Sequence, residues 1–60
     1  MKPRIFVMKY KSVNGVVNFD IGDEAEIIEM VDNTDFNIIV NGIEYTVPIM
    51  DFIEATKNKE

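Results

Sequence analysis

The side chains that could do chemistry in this chain are carboxylates, because the sequence holds 11 Asp and Glu residues but no His and no Cys. Acid–base catalysis by carboxylates needs two of them close together in a buried site that separates their pKa values. Glu29 is the one acid on the inward face of a predicted strand. A β-bulge, or a strand end that reaches solvent, explains Glu29 more simply than catalysis does. We therefore expect a protein that is not an enzyme.

A second group of acids, Asp20, Asp23 and Glu24, lies near a predicted turn and could offer oxygen ligands to Ca²⁺. That ion takes about six to eight oxygens, and the EF-hand spacing Asp-x-Asp-x-Asp-Gly is not present. The lack of His and Cys also removes the usual zinc ligands. We expect a solvated turn, with no metal and no other cofactor.

Charge is distributed unevenly around a formal net charge of -5. Residues 1–19 contain bases and no acid, whereas residues 20–54 contain acids and no base. The bases of the first segment are Lys2, Arg4, Lys9 and Lys11. In one interpretation the basic strands pair beside acidic ones within the fold, where surface ion pairs contribute little. In the other, a two-sided surface recruits a charged partner.

The length of 60 residues indicates one domain with a small core and no covalent staple. No run of about 18 apolar residues is present, so we expect no membrane span. The apolar stretch after Met1–Arg4 is too short for a secretory signal. We expect a cytoplasmic protein.

Two Asn-Gly dipeptides are the strongest local signals, because type I′ hairpin turns need positive φ at both central residues. A two-residue turn at Asn41-Gly42 separates an apolar face from a polar one. Its apolar pairs are Val40/Ile43, Ile38/Tyr45 and Phe36/Val47, and its polar-face pairs are Ile39/Glu44 and Asn37/Thr46. A turn at Asn14-Gly15 predicts a first hairpin in the same way. Its pairs are Ser12/Val17, Tyr10/Phe19 and Met8/Ile21 on one face, and Lys9/Asp20 and Lys11/Asn18 on the other.

A strand over about residues 24–31 is predicted between the hairpins, with Ala25, Ile27 and Val31 facing inward. The segment also has helix propensity, but Gly22, the turn at 32–35 and its β-branched residues favour a strand.

The C-terminal part is predicted to begin at Pro48, which cannot donate to a ladder and ends the preceding strand near Val47. A short 3₁₀ turn near residues 49–51, a closing strand over 52–55 and a disordered tail over 56–60 follow. The expected fold is an all-β, five-stranded small barrel that hides its strand edges.

The stretch Phe19–Glu29, with its Gly22-Asp23 step and alternating strand, resembles SH3-like domains over roughly residues 5–55. The likeness continues through Asn41-Gly42 and through Thr46-Val47-Pro48. It implies a single SH3-like barrel over residues 1–55, with Ala25, Ile27, Val47 and Phe52 in the core. In type and length the chain is also similar to short phage and prophage proteins with SH3-like folds.

The resemblance also implies a groove for proline-rich peptides, but the residues that form it are missing. Ile5–Tyr10 stands where the family has an Ala-Leu-Tyr-Asp-Tyr-like segment, and the chain has no Trp. Phe36 is the nearest substitute for that Trp, and Asp51 occupies the position of the groove Tyr. The likeness therefore supports the fold and argues against the family's best-known ligand.

The function that these observations favour is a noncatalytic protein-interaction module. The similarity to phage and prophage proteins implies an accessory protein that acts on a host protein. Four apolar residues are not needed by the predicted core, and together they would form a contact patch. They are Ile28, Met30, Ile49 and Met50.

Two alternatives stay open. Nucleic-acid binding would use a basic and aromatic strip formed by Lys2, Arg4, Phe6, Lys9, Tyr10 and Lys11, although the many acids oppose it. Structural self-association would join the basic edge of one copy to the acidic surface of the next.

Overall fold

The computed structural model describes residues 4–59, which form one antiparallel sheet and one short helix. The elements are β1 (Ile5–Met8), β2 (Glu24–Val31), β3 (Asp35–Val40), β4 (Ile43–Pro48), α1 (Ile49–Ala55) and β5 (Thr56–Asn58). The strand order is β4-β3-β2-β1-β5, so β4 and β5 are the edges of the sheet. The prediction of a mostly β fold with five strands is confirmed.

The hairpin of β3 and β4 has the predicted register throughout, from Val40↔Ile43 to Phe36↔Val47. Both turn residues adopt positive φ, 53° at Asn41 and 81° at Gly42. Asn tolerates this region and Gly enters it at little steric cost, which is why this dipeptide fixes the turn. One face of the hairpin carries the buried residues Ile38, Val40 and Val47.

The predicted first hairpin is wrong, although Asn14 and Gly15 do form a turn with positive φ. Only an isolated bridge between Val13 and Val16 flanks that turn, and β1 pairs with β2 and β5 instead. Burial explains the difference, because Val13 and Phe19 of the connecting loop enter the core. The predicted hairpin paired Met8 with Ile21. In the structure the Gly22 N–H donates to the Met8 carbonyl at 2.9 Å, so the chain rejoins β1 later than predicted.

The strand β2 has the predicted bounds, and Ala25 is buried. Its register against β3 shifts between Ile27 and Glu29, which marks a β-bulge. Glu29 is exposed, and its carboxylate accepts a hydrogen bond from Asn37 Nδ2 at 3.0 Å. Of the two explanations offered for Glu29, a bulge or a strand end that reaches solvent, the structure shows the bulge, with Ile28 as the extra residue before Glu29.

The C-terminal prediction needs correction, because residues 49–55 form an α-helix where a 3₁₀ turn and a closing strand were expected. Phe52 and Ala55 are both buried, and a helix places residues three apart on one face whereas a strand would place them on opposite faces. The closing strand is β5, which lies in the expected tail and pairs with β1. Thr56 is only 4% exposed, and its hydroxyl donates to the Phe52 carbonyl at 2.7 Å.

The centre of the core is Phe52, whose side chain has no exposed surface. Its ring meets Phe6 of β1 and Phe36 of β3 edge to face, at centroid distances of 5.3 and 5.6 Å. The buried core around it consists of Met8, Val13, Phe19, Ala25, Ile38, Val40, Val47 and Ala55. Ile27, also predicted for the core, packs against it while partly exposed.

No helix within residues 4–59 is both long and apolar enough to cross a membrane.

Phe52→Ala is expected to lower the free energy of unfolding by about 3–5 kcal/mol, because it removes the ring that joins the helix to two strands. That loss is a large share of the stability of a domain of this size, roughly 3–9 kcal/mol. Ile53→Ala, beside it on the exposed side of α1, should change stability by about 0.5 kcal/mol or less. Urea denaturation followed by far-UV circular dichroism measures both, and equal losses would contradict the helix.

Truncation after Ala55 is expected to unfold the protein or to lower its urea midpoint sharply. It removes the strand β5, which pairs with β1 and includes the buried Thr56. Truncation after Asn58, which keeps the whole of β5, is the control. A midpoint that truncation after Ala55 leaves unchanged would show that residues 56–60 are a dispensable tail.

Candidate protein-interaction surface

Two large apolar side chains of α1 are exposed to solvent. Met50 is 80% exposed and Ile53 is 57% exposed, and residues three apart are neighbours on one side of a helix. Phe52 and Ala55 occupy the opposite side and anchor α1 on the sheet. The helix therefore presents two large apolar side chains to solvent because its other face is fixed by the core.

Two more residues of the predicted patch lie at the same end of the sheet. The Ile49 N–H donates to the Thr34 carbonyl at 2.9 Å, which holds the start of α1 beside the turn between β2 and β3. Met30, exposed near the end of β2, pairs with Phe36, whose ring contacts Phe52 of the helix.

The predicted residue Ile28 is exposed at the bulge of β2, further from that turn than Met30. We call Met30, Ile49, Met50 and Ile53 the α1 surface. Sequence reasoning missed Ile53, since a strand over 52–55 gives it no relation to Met50. An i, i+3 apolar pair at 50 and 53, read on a helical period, was the signal that could have found it.

A cleft of about 510 Å³ lies on another flank of the helix, between α1 and the loop that follows β1. Its lining consists of Tyr10, Ser12, Val13, Asn14, Asp51, Glu54 and Ala55. Asp51 and Glu54 give the cleft negative charge, and the exposed Tyr10 ring gives it an aromatic wall. This chemistry suits a cationic side chain, which a carboxylate attracts and an aromatic face accepts.

The predicted basic strip is only partly assembled. Arg4, Lys9 and Lys11 are exposed, and Lys2 lies outside the described residues. Phe6 packs against the core and Phe52, so its ring is engaged there. Tyr10 lines the acidic cleft.

The pairing of β5 with β1 places two further lysines, Lys57 and Lys59, next to β1, which belongs to the basic segment over residues 1–19. Lys59 Nζ forms an ion pair with Glu24 at 2.8 Å. Lys59 lies outside the basic segment over residues 1–19, so this ion pair does not decide between the two interpretations of the charge pattern.

One of the acids at the predicted turn, Asp23, makes hydrogen bonds within the fold. The Asp23 carboxylate accepts the Asp20 backbone N–H at 2.9 Å and Asn41 Nδ2 at 3.3 Å. It thereby joins the loop before β2 to the turn between β3 and β4. In the part of the chain that the structure describes, no three acidic side chains are grouped so that they could hold a metal ion.

Comparisons with protein-family models, with curated proteins and with solved structures find no match to this chain. The geometry of the surface is therefore the observation from which function is inferred.

Asp23→Ala is expected to lower the free energy of unfolding by about 1–2 kcal/mol, because it leaves the Asp20 N–H and the Asn41 amide without their acceptor. Asp20→Ala removes an equal charge from the same turn and no side-chain hydrogen bond found in the structure, so it is the matched control. Equal effects of the two substitutions in urea denaturation would mean that charge, and not hydrogen bonding, matters at this turn.

Proposed function

We propose that this protein is a noncatalytic protein-interaction module that binds a partner protein through the α1 surface. The observation that carries the proposal is the exposure of Met50 beside Ile53 on a helix fixed by the core. Leaving such side chains in water is unfavourable, and contiguous exposed apolar surface marks contact sites on small soluble domains. Methionine also adapts its shape to a partner.

The acidic cleft indicates the chemistry of the partner. Asp51 and Glu54 line the cleft on the same helix that presents Met50 and Ile53. A partner segment that carries an apolar anchor followed closely by Lys or Arg would match both features. Charge of opposite sign would accelerate association, and the anchor would supply most of the affinity.

At the level of fold, we propose that the sheet belongs to an SH3-like barrel. The five antiparallel strands, their order and the helix between β4 and β5 support this, as does the burial of Ala25, Val47 and Phe52. The likeness in length and type to short phage proteins supports an accessory role that acts on a host protein in the cytoplasm. Asp51 in place of the groove Tyr fits a ligand other than a proline-rich peptide.

Nucleic-acid binding has less support from the geometry. Phe6 packs against the core, Tyr10 lines a cleft with two carboxylates, and Lys59 is paired with Glu24. Bases stack on aromatic rings that are free and surrounded by positive charge. Tyr10 is exposed between Lys9 and Lys11, but Asp51 and Glu54 line the same cleft and oppose a phosphate backbone.

Met50→Asp and Ile53→Asp are expected to weaken partner binding at least about tenfold, because each places a charge where an apolar anchor would be desolvated. The partner is first captured from a bacterial lysate with a photo-crosslinker at position 50, then identified, purified and titrated by isothermal calorimetry. Ile21→Asp, at an isoleucine that is somewhat more exposed than Ile53 and lies on the loop before β2, is the matched control.

Affinity that both helix substitutions leave unchanged would overturn the proposed surface. A loss of the same size with Ile21→Asp would attribute the effect to added negative charge. Denaturation midpoints of the variants are measured alongside, so that unfolding is not mistaken for lost binding.

A further inference from the structure

The outer edge of β4 is an open sheet edge. Glu44 and Thr46 are exposed, and in residues 4–59 no backbone hydrogen bond beyond the sheet reaches residues 43–48. Unpaired strand edges are strong templates for another strand. Proteins usually protect them with short strands or lysines, and β4 has six residues and no lysine.

The hairpin register determines which peptide groups face outward. Opposed residues in an antiparallel pair alternate between hydrogen-bonded and non-bonded. The pair that flanks the two-residue turn, Val40↔Ile43, is hydrogen-bonded. At the other end of β4 the Ile49 N–H donates to the Thr34 carbonyl, which fits the same alternation of bonded and non-bonded pairs. The N–H and C=O groups of Glu44 and Thr46 therefore point away from β3.

We propose that two copies of this chain pair through β4, antiparallel, with the two-fold axis at Tyr45. Glu44 of one copy then faces Thr46 of the other, and each such pair exchanges both backbone N–H···O bonds. The interface is isologous, so it closes at two copies and does not extend into a filament.

Charge and proline select this register over its neighbours. A two-fold axis at Glu44 would place the two Glu44 carboxylates directly opposite each other, which is destabilising. An axis at Thr46 would place Glu44 opposite Pro48, which has no N–H to donate. Only the axis at Tyr45 pairs every outward donor of Glu44 and Thr46 with an acceptor and opposes no like charges.

The same register covers apolar surface on the core side of the sheet. Ile43 is 57% exposed at the end of β4 and would lie opposite Val47 of the second copy. Tyr45, already edge to face with Phe19 at 5.0 Å, would meet its symmetry mate. Aromatic and β-branched cross-strand pairs are among the favourable ones in sheets.

The other edge of the sheet is a poorer partner. The Lys9 N–H bonds the Ala55 carbonyl and the Lys59 N–H bonds the Ile5 carbonyl, so Thr56 and Asn58 direct their peptide groups outward. Thr56 is almost completely buried, and β5 has only three residues with Lys57 among them. This edge is short and carries a lysine, two protections that β4 lacks.

Sedimentation equilibrium of the 60-residue chain up to about 1 mM tests the pairing, because edge interfaces are small and weak. We expect the mass to rise from 6.9 kDa toward twice that value, with tighter association at high salt, since each copy carries a net charge of -5. A monomer mass at all concentrations and salts would overturn the proposal.

Thr46→Pro is expected to weaken dimerisation about tenfold or more, because it removes an outward N–H and spares the ladder to β3. Thr46→Val loses the same hydroxyl but keeps the N–H, so it should dimerise like the unmodified chain. Circular dichroism and urea midpoints establish that both variants fold. Equal dimerisation of the two, or loss of the dimer with Met50→Asp, would place the contact elsewhere.

Single cysteines test the register, since the chain has none of its own. Tyr45→Cys places two thiols at the two-fold axis, in a non-bonded pair whose Cβ atoms approach to disulfide distance. It should form a covalent dimer on mild oxidation. Ile43→Cys, on the same face, lies opposite Val47 and should crosslink far more slowly. Crosslinking in the reverse order, in folded variants, would exclude this register.

Discussion

The packing of Phe52 is the constraint on which the rest of this small structure depends. Its ring contacts Phe6 of β1 and Phe36 of β3, and its carbonyl accepts the Thr56 hydroxyl at the start of β5. One residue thus connects the helix to three strands in a chain without disulfides. Because Phe52 can be buried in only one orientation of α1, the positions of the remaining helical side chains follow from it.

The exposed residues of α1 are a consequence of that orientation. Fixing Phe52 and Ala55 on the sheet directs Met50 and Ile53 to solvent and places Asp51 and Glu54 along the cleft. The sequence could have placed polar residues at 50 and 53 at no cost to the core. Met50 and Ile53 lie side by side on one turn of a helix held by the core, whereas Val17 and Ile21 are exposed on the irregular loop after β1.

The sequence predicted correctly those elements whose conformation depends on residues close to them in the chain. Asn41 and Gly42 determine their own turn, and the alternation on either side determines the register. The turn at Asn14 and Gly15 was equally visible, yet the strands around it do not form, because Phe19 is held by Tyr45 from the far end of the chain. The helix was missed for a different reason. Residues 52–55 do not alternate well as a strand, because Glu54 would share a face with Phe52. The apolar pairs 50/53 and 52/55 fit a helical period, and the contacts of Phe52 with Phe6 and Phe36 then fix which side of the helix is buried.

The two sheet edges differ in a way that a single chain would not require. The edge at β5 is short, contains Lys57 and has its first residue buried at the end of the helix. The edge at β4 is twice as long, and its outward peptide groups belong to exposed residues. An edge of that length in a monomer is a risk of uncontrolled aggregation. Pro48 and the repulsion between Glu44 carboxylates restrict β4 to one self-pairing register. The same two features therefore oppose open-ended association and favour a closed dimer.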